Sequence, residues 1–445
     1  MTQKDVPTFY LFLLVFFAAL GGFLFGFTTG VISGALGFIA KDFSLTVFQE
    51  GVLVSIILIG ALVGSYFAGI IADYFGRRKA ILLTALIFIL GIWMSMSAET
   101  FWILLSGRGV TGLAVGIISV AAPLYLSEIA PSHFRGGVVA AHQLAITIGI
   151  LFAYSINYLL SASGNWRLMF GWGIVPAAIQ FIGMLFLPET PAWLLEHGHI
   201  NQAKKVLSKL RKDIEWKKHF PAMKAVSASS KKVSWHALFK PHFRTVFLVG
   251  IVLSAFQQIT GINTVMYYAP KIFQIAGFPS VSSALFATFG IGIINVLATF
   301  FSVWFLDRIG RRKLLLIGSA GMVIALSFLV WALASHFLFV NKIALMSLMG
   351  YVAFFGIGLG PVTWVVLSEI YPSHIRARAM GIATFLNWLC NYIITLIFLD
   401  LMRLLTPSGT FALFTGISLI CFWFIYRFIP ETKGKSLEQI EELFR

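Results

Sequence analysis

Charged side chains are scarce in this chain. Asp, Glu, Lys and Arg together make up 11% of its 445 residues, whereas a soluble domain carries about 25%. Hydrophobic residues make up 59% of the chain, which is more than a water-facing surface accommodates. The composition therefore excludes an ordinary soluble domain and indicates that a lipid bilayer is the solvent of this chain.

Cysteine is also scarce. Cys390 and Cys421 are the two cysteines, and both stand in apolar runs. We interpret them as buried thiols and not as a disulfide or a metal site. The sequence also lacks a Walker-type phosphate loop and an enzyme's nucleophile–base constellation. We therefore expect neither an enzyme nor an ATP-driven pump, and we expect no cofactor and no metal.

Long apolar runs are abundant. A spanning helix needs about 20 apolar residues, and backbone groups in lipid must be satisfied within a helix or a closed barrel. Barrel strands would be about 10 residues long and alternating, which these runs are not. The sequence thus predicts an all-α membrane protein with twelve transmembrane segments, called spans 1 to 12, near residues 9–39, 49–72, 80–97, 101–126, 136–160, 167–187, 245–275, 282–306, 314–335, 343–368, 377–399 and 410–429.

Three motifs occur twice, in the same order and at nearly the same separation. The copies pair residues 73–79 with 307–313, 127–135 with 368–376, and 188–190 with 430–432. Such self-similarity indicates two homologous halves, an architecture that belongs to transporters. We predict an N-terminal six-helix bundle, a cytoplasmic helical linker, a C-terminal six-helix bundle and a cytoplasmic tail, with bounds 1–191, 192–243, 244–429 and 430–445.

The net charge of +16 could suggest a nucleic-acid partner, but its placement argues against one. Lys and Arg concentrate in the loops after even-numbered spans and in the central loop, whereas the opposite loops hold few. This asymmetry is the positive-inside rule, and it predicts that both termini and the central loop are cytoplasmic. Within that loop, the apolar spacing of residues 201–210 predicts an amphipathic helix.

The repeated loops carry matched charges. Gly76 and Gly310 permit a positive φ in a tight turn, and arginines beside acids predict an ion network at the cytoplasmic side of each half. Such a network, made in one conformation and broken in another, would act as a latch. The alternative is that the charges only anchor helices to the headgroups. The predicted network comprises Asp73, Arg77, Arg78, Glu128, Arg135, Asp307, Arg311, Arg312, Glu369 and Arg376.

Several further motifs resemble those of one transporter family. They are residues 26–34, 107–109, 188–191, 257–263 and 430–434. With these motifs the chain resembles the sugar porter family of the major facilitator superfamily over essentially its whole length. That family includes bacterial proton symporters for xylose and glucose and the human facilitative glucose transporters. The resemblance implies transport of a neutral monosaccharide by alternating access.

The resemblance also implies a sugar site midway through the membrane, formed mainly by the C-terminal half. The chemistry agrees, because sugar hydroxyls suit amides that both donate and accept hydrogen bonds and aromatic faces suit sugar C–H groups. Each amide alone could instead join two helices. Gly261 is expected to unwind span 7 beside this site. The matching residues are Gln143, Gln257, Gln258, Asn263, Asn295, Trp364, Asn387 and Trp388.

Two tyrosines in span 7 match the family's extracellular gate. They are Tyr267 and Tyr268, and the alternative is an interfacial aromatic belt. In span 5, Ile150 matches the glucose carriers, which favours a hexose such as glucose over xylose. We expect a monomer in the plasma membrane, or bacterial inner membrane, whose partners are lipid and sugar.

Proton coupling is where the chain departs from the family's symporters. Those members carry an aspartate where this chain has Thr28, opposite Arg108 in span 4. Coupling needs a titratable group within the membrane, and the acids of this sequence fall in loops, tails or helix ends. The sequence thus predicts a uniporter. The alternative is a proton–sugar symporter with another proton carrier, of which His142 is the nearest candidate.

Two other classes share this fold. A drug or cation antiporter would usually need a membrane-embedded carboxylate, which the sequence lacks. A non-transporting sugar receptor would keep the amides and the tryptophan, and would be expected to carry a long cytoplasmic signalling tail. We regard both as less consistent with the sequence than a sugar carrier.

Overall fold

The computed structural model of the protein describes residues 8–130, 135–210, 241–335, 339–371, 376–435 and 439–440. Every regular element in these ranges is an α-helix. Helices satisfy their own backbone hydrogen bonds, which is the requirement that lipid imposes on apolar runs of this length. The predicted all-α class is therefore confirmed.

The first half of the chain contains the helices that correspond to spans 1 to 6 and the start of the linker. Two short helices, α6 and α7, together correspond to span 6. The helices are α1 (Thr8–Asp42), α2 (Val47–Phe75), α3 (Arg77–Met96), α4 (Phe101–Ile129), α5 (Arg135–Leu159), α6 (Trp166–Gly171), α7 (Ile174–Phe186), α8 (Pro191–Glu196) and α9 (Ile200–Leu210).

In the second half, spans 7 and 10 are each divided into two helices. Span 7 corresponds to α10 and α11, and span 10 corresponds to α14 and α15. The helices are α10 (Pro241–Ile259), α11 (Ile262–Ile275), α12 (Val281–Ile309), α13 (Arg311–Ala334), α14 (Val340–Ile357), α15 (Leu359–Ile370), α16 (Arg376–Leu404) and α17 (Thr406–Phe428).

Length and hydropathy identify most of these helices as membrane spans. In the described ranges, eleven helical segments are long and apolar enough to cross a bilayer. They coincide with eleven of the twelve predicted spans. The twelfth, span 5, is not among these eleven segments and corresponds to α5. Half-buried and exposed apolar side chains such as Phe186, Trp102 and Leu404 lie on these helices, where lipid would cover them.

The structure divides into two compact units. Unit 1 comprises Met1–Gly26, Gly60–Ile146 and Gly171–Lys232, and unit 2 comprises Phe27–Ile59, Thr147–Phe170 and Val233–Arg445. Within unit 1, α3 packs against α4 and α7; within unit 2, α13 packs against α14 and α17, and α10 packs against α16. Unit 2 therefore includes parts of α1, α2 and α5 from the first half of the sequence. The bounds predicted above for the four sequence domains stay a prediction.

The start of the linker folds as its spacing predicts. In α9 the apolar residues Ala203, Val206 and Leu207 are buried, whereas Lys204 and Lys205 are exposed. Residues 211–240 of the predicted linker lie outside the described part of the chain. Of the two cysteines, Cys421 is buried as expected, but Cys390 is only half-buried.

Candidate functional site

The break between α10 and α11 brings polar residues together in unit 2. Gly261 caps the N-terminus of α11 with φ of +92°, a left-handed conformation that glycine adopts without strain. A Cβ atom at this position would lie 2.7 Å from ring atoms of Phe414. The backbone conformation and the lack of room for a side chain thus both require glycine at position 261. The break between the two helices confirms the predicted interruption of span 7.

Four of the predicted sugar ligands meet in one amide network beside this break. Asn387 donates from Nδ2 to Oε1 of Gln257 at 2.8 Å. Gln258 donates from Nε2 to Oδ1 of Asn387 at 3.0 Å, and Asn263 donates from Nδ2 to Oε1 of Gln258 at 2.7 Å. The network joins α10, α11 and α16 through side chains that both donate and accept.

Backbone carbonyls hold the network in place. Nε2 of Gln257 donates to the carbonyl oxygens of Leu359 and Gly360 at 2.9 and 3.0 Å, where α15 begins. Nδ2 of Asn387 also donates to the carbonyl of Ser254 at 2.9 Å. Gln257 and Asn387 are 3% and 5% exposed, so their polar groups are satisfied inside the protein and not by lipid.

The other predicted ligands lie on separate helices. In unit 2, Asn295 is buried on α12, Trp388 is buried on α16 beside Asn387, and Trp364 is half-buried on α15. Gln143 is half-buried on α5 and belongs to unit 1. The assignment of these residues to sugar binding stays a prediction.

A polar stripe continues along α16. Asn387, Asn391 and Thr395 are all buried, and Oγ1 of Thr395 donates to Oδ1 of Asn391 at 3.1 Å. These residues are four positions apart, which places them on one face of the helix. Tyr268 joins this face, because its hydroxyl donates to the carbonyl of Thr395 at 3.3 Å.

The two predicted gate tyrosines lie inside unit 2. Tyr267 is 2% exposed and Tyr268 is 1% exposed, and Tyr268 stacks on Phe398 with 5.1 Å between ring centroids. An interfacial belt would place the rings at the lipid surface, so the burial argues against that alternative. Their role as a gate stays a prediction.

The predicted coupling position of span 1 is occupied by a buried hydroxyl. Thr28 is 3% exposed and belongs to unit 2, whereas Arg108 is 1% exposed and belongs to unit 1. In unit 1, His142 is 6% exposed, and its Nδ1 atom has no hydrogen-bond partner among the described residues. A Cβ atom on Gly22 would lie 2.9 Å from this Nδ1, so α1 passes directly over the imidazole.

The first-half charge cluster, in unit 1, is centred on Arg77. Its guanidinium contacts Glu128 at 3.0 Å and Asp73 at 3.2 Å. The carboxylate of Glu189 accepts the backbone N–H of Arg78 at 3.1 Å, and the hydroxyl of Thr190 donates to Glu128. We name the cluster by these members: Asp73, Arg77, Glu128, Glu189 and Thr190.

The second-half charge cluster, in unit 2, repeats the arrangement around Arg311. Its guanidinium contacts Glu369 and Asp307, both at 2.9 Å. Glu431 accepts the backbone N–H groups of Arg311 and Arg312 at 2.9 and 3.2 Å, and Thr432 donates to Glu369 at 2.6 Å. The members are Asp307, Arg311, Glu369, Glu431 and Thr432.

Both clusters start from a glycine turn. Gly76 and Gly310 have φ of +99° and +100°, as the sequence predicts, and each precedes a helix. Glu189 and Glu431 accept N–H groups at the starts of α3 and α13, where the helix dipole favours a negative charge. Glu189 and Glu431 are members of the clusters that the predicted network lacks. The repeat of Pro-Glu-Thr at residues 188–190 and 430–432 is the sequence signal that points to them.

Two expectations about the network need correction. Arg78 and Arg312 do not bridge to carboxylates through their guanidinium groups in the described structure. Arg78 donates from Nε to the carbonyl of Met184 at 2.9 Å, and Arg312 donates from Nη2 to the carbonyl of Tyr426 at 2.7 Å. Arg78 thereby links α3 to the C-terminal end of α7, and Arg312 links α13 to the C-terminal end of α17. The side chains of Arg135 and Arg376 lie outside the described residues.

Comparison with known proteins places this architecture in a family. The family model described as "Sugar (and other) transporter" matches residues 14–444. The chain belongs to the sugar porter family of the major facilitator superfamily. This sugar porter is 42% identical over 440 residues to the D-xylose transporter of Levilactobacillus brevis, covering 97% of this chain and 95% of the relative.

Two further proteins extend the comparison. The sugar porter is 39% identical over 435 residues to glucose transporter GlcP of Staphylococcus epidermidis, covering 97% of this chain and 96% of the relative. The solved structure of the proton:xylose symporter XylE, from E. coli, bound to 6-bromo-6-deoxy-D-glucose matches with a TM-score of 0.83 at 31% identity, covering 98% of this chain and all of that chain. The predicted major facilitator fold, with twelve spans in two homologous bundles, is thereby confirmed.

Proposed function

We propose that this sugar porter is a facilitative uniporter for a hexose such as glucose, working by alternating access. The observation that carries the proposal is Thr28. Its side chain is buried inside the protein at the position where the family's symporters have an aspartate. Because threonine does not titrate near neutral pH, it cannot carry a proton between two environments.

The positions of the acids support the same proposal. In the described part of the chain, carboxylates lie in the connecting loops or close to the helix ends, in or next to the first or last turn. Glu50 lies in the first turn of α2, Glu128 in the last turn of α4, and Glu369 in the last turn of α15. None of these positions is near the middle of a span, where a coupling carboxylate would alternate between the two sides.

The amide network supports binding of a neutral polyhydroxylated ligand. Gln257, Gln258 and Asn387 offer paired donors and acceptors, and such groups can exchange their mutual hydrogen bonds for sugar hydroxyls without leaving buried polar atoms unpaired. The described site offers amides and no charged group, which suits a neutral ligand. Ile150, buried on α5, favours a hexose. The likeness to GlcP is consistent with glucose, and the likeness to the D-xylose transporter makes xylose the sugar to compare.

We further propose that the carrier is a monomer in the plasma membrane, or bacterial inner membrane. The distribution of Lys and Arg supports cytoplasmic termini and a cytoplasmic central linker. In this orientation the two charge clusters face the cytoplasm, and α11 with Tyr267 and Tyr268 faces the outside. The four predicted sequence domains, 1–191, 192–243, 244–429 and 430–445, follow from the same orientation.

A proton–sugar symporter is the second candidate. XylE, which shares the fold at 31% identity, is a proton:xylose symporter. In this chain the proton carrier would have to be a group other than Thr28, and the buried Nδ1 of His142 is the described group most suited to it.

Transport by purified protein in liposomes separates the two candidates. We expect saturable counterflow of radiolabelled glucose and no accumulation when an inward-directed proton gradient is imposed. Accumulation against the glucose gradient would overturn the uniporter, and His142→Gln would then test the second candidate. Xylose in place of glucose tests the choice of sugar.

A further inference from the structure

The short helix α11 is attached to the first half of the sequence by an ion pair. Nζ of Lys271, near the end of α11, lies 2.6 Å from Oε2 of Glu50, in the first turn of α2. Both residues belong to unit 2, although 221 residues separate them. The Glu50 side chain is 11% exposed and the Lys271 side chain 37%, so water screens this pair less than it screens a surface pair.

Glu50 is positioned by its helix and by the packing of that helix. Glu50 occupies the N-terminal turn of α2, where the helix dipole favours a carboxylate, and its backbone N–H donates to the carbonyl of Thr46. A Cβ atom on Gly51 would lie 2.7 Å from the carbonyl oxygen of Leu396. The start of α2 therefore packs backbone to backbone on α16, and the ion pair is formed beside a tight contact.

A second bond attaches α11 to the first half. The hydroxyl of Tyr154, on α5, donates to the carbonyl of Met266 at 2.8 Å, and Tyr154 is 1% exposed. Two helices from the first half thus hold α11, one through a neutral hydrogen bond and one through opposite charges. At its other end α11 begins at Gly261, whose left-handed φ lets the helix direction change independently of α10.

We propose that Glu50 and Lys271 form a clasp that keeps α11 closed over the sugar site. Alternating access requires the contacts between the two halves on the outer side of the membrane to break whenever the site opens to that side. The clasp is such a contact, and it acts on the helix that carries Asn263, Tyr267 and Tyr268. Glu50 and Lys271 are positioning residues, because they set the population of the closed state without contacting sugar. This inference rests on the alternating-access part of the proposed function and is independent of proton coupling.

Thiol accessibility on α11 measures the opening directly. Met266 is 3% exposed and lies against Tyr154, so a cysteine there is shielded while α11 is closed. In a Cys390→Ser, Cys421→Ser, Met266→Cys background, we would measure the rate of modification by a membrane-impermeant maleimide in liposomes without sugar. Glu50→Gln and Lys271→Met should each raise this rate by about fivefold or more, the usual range for coupling of a conformational equilibrium.

The double variant shows whether the two residues act as one pair. If they do, Glu50→Gln with Lys271→Met should raise the rate no further than the stronger single change, because the clasp is already broken. Arg167→Gln is the matched control. It removes an ion pair of unit 2 to Asp42 at 3.8 Å, whose side chains are 43% and 51% exposed, and it should leave the rate within about twofold.

Three results would overturn the clasp: unchanged rates in the two single variants, additive effects in the double variant, or an equal effect of Arg167→Gln. Because the readout is thiol modification without sugar, it stands apart from the transport assay. Proton-driven accumulation would overturn the uniporter and leave the clasp intact. Unchanged thiol rates would overturn the clasp and leave the uniporter intact.

Discussion

Asn387 on α16 donates a hydrogen bond to Gln257 on α10 over 2.8 Å. These two amides and that of Gln258 are buried, and their donors and acceptors already have partners of the kind that a sugar hydroxyl could replace. A site of this kind binds by exchanging hydrogen bonds and not by creating them in an empty cavity.

Removal of one amide should weaken sugar binding. Asn387→Ala removes one accepted and two donated hydrogen bonds and leaves Gln257 and Gln258 incompletely paired, so glucose counterflow at subsaturating sugar should fall by about tenfold or more. Gln202→Ala, an exposed amide on α9, should leave counterflow unchanged. Equal counterflow in Asn387→Ala and the parent protein would contradict the assignment of this network to sugar.

A carboxylate at the coupling position should change the energetics of transport. Thr28→Asp introduces the titratable group that the family's symporters carry, so an inward proton gradient should now drive glucose accumulation. Thr28→Asn is the matched control, because asparagine is close to aspartate in size and polarity but does not titrate, and this variant should remain uncoupled. Proton-driven accumulation by the parent protein would refute the role given to threonine.

The two acids that accept hydrogen bonds from helix N–H groups, Glu189 and Glu431, should each stabilise the half of the protein in which they lie. Glu189→Ala leaves the start of α3 without its anion, and Glu431→Ala does the same for α13, each at a cost of about 1 kcal/mol. We therefore expect a lower apparent Tm for both variants in detergent. Glu196→Ala is the control, since Glu196 is exposed and lies 3.9 Å from Arg77; a shift as large as that of Glu189→Ala would count against the helix-terminus explanation.

A methyl group at the break of span 7 should be poorly tolerated. Gly261→Ala forces an alanine to a φ of +92° and places Cβ 2.7 Å from the ring of Phe414. The left-handed conformation alone costs roughly 1–2 kcal/mol, and the contact adds to it. Counterflow and apparent Tm should both fall, whereas Gly416→Ala, with open space around its Cβ position, should change neither. Normal stability together with normal counterflow in Gly261→Ala would refute the requirement for glycine.

Much of the architecture could be predicted because its causes are local. Apolar runs must become helices in lipid, whatever they pack against, and Gly76, Gly261 and Gly310 mark turns because only glycine adopts a positive φ cheaply. The repeated Asp-x-x-Gly-Arg-Arg loops likewise indicated paired clusters before any contact was known. Composition, apolar run length and the internal repeat were therefore sufficient for the fold class and for the region of the site.

The partners that each charged side chain binds could not be predicted from these local features of the sequence. The sequence predicts carboxylate partners for the arginines, yet Arg78 and Arg312 bind backbone carbonyls, and Glu189 and Glu431 bind backbone N–H groups. Nothing local predicts these choices, because a side chain selects among whatever groups packing brings within about 3 Å.

The sequence by itself determined the twelve-span, two-half plan of this protein, the non-titrating Thr28 in span 1, and the amides available for a neutral ligand. These properties follow from residue type and order. Only the tertiary structure decided that four of those amides form one network and that Lys271 meets Glu50 across 221 residues. Such contacts depend on how separate helices pack, and no periodicity within one helix records its neighbour's position.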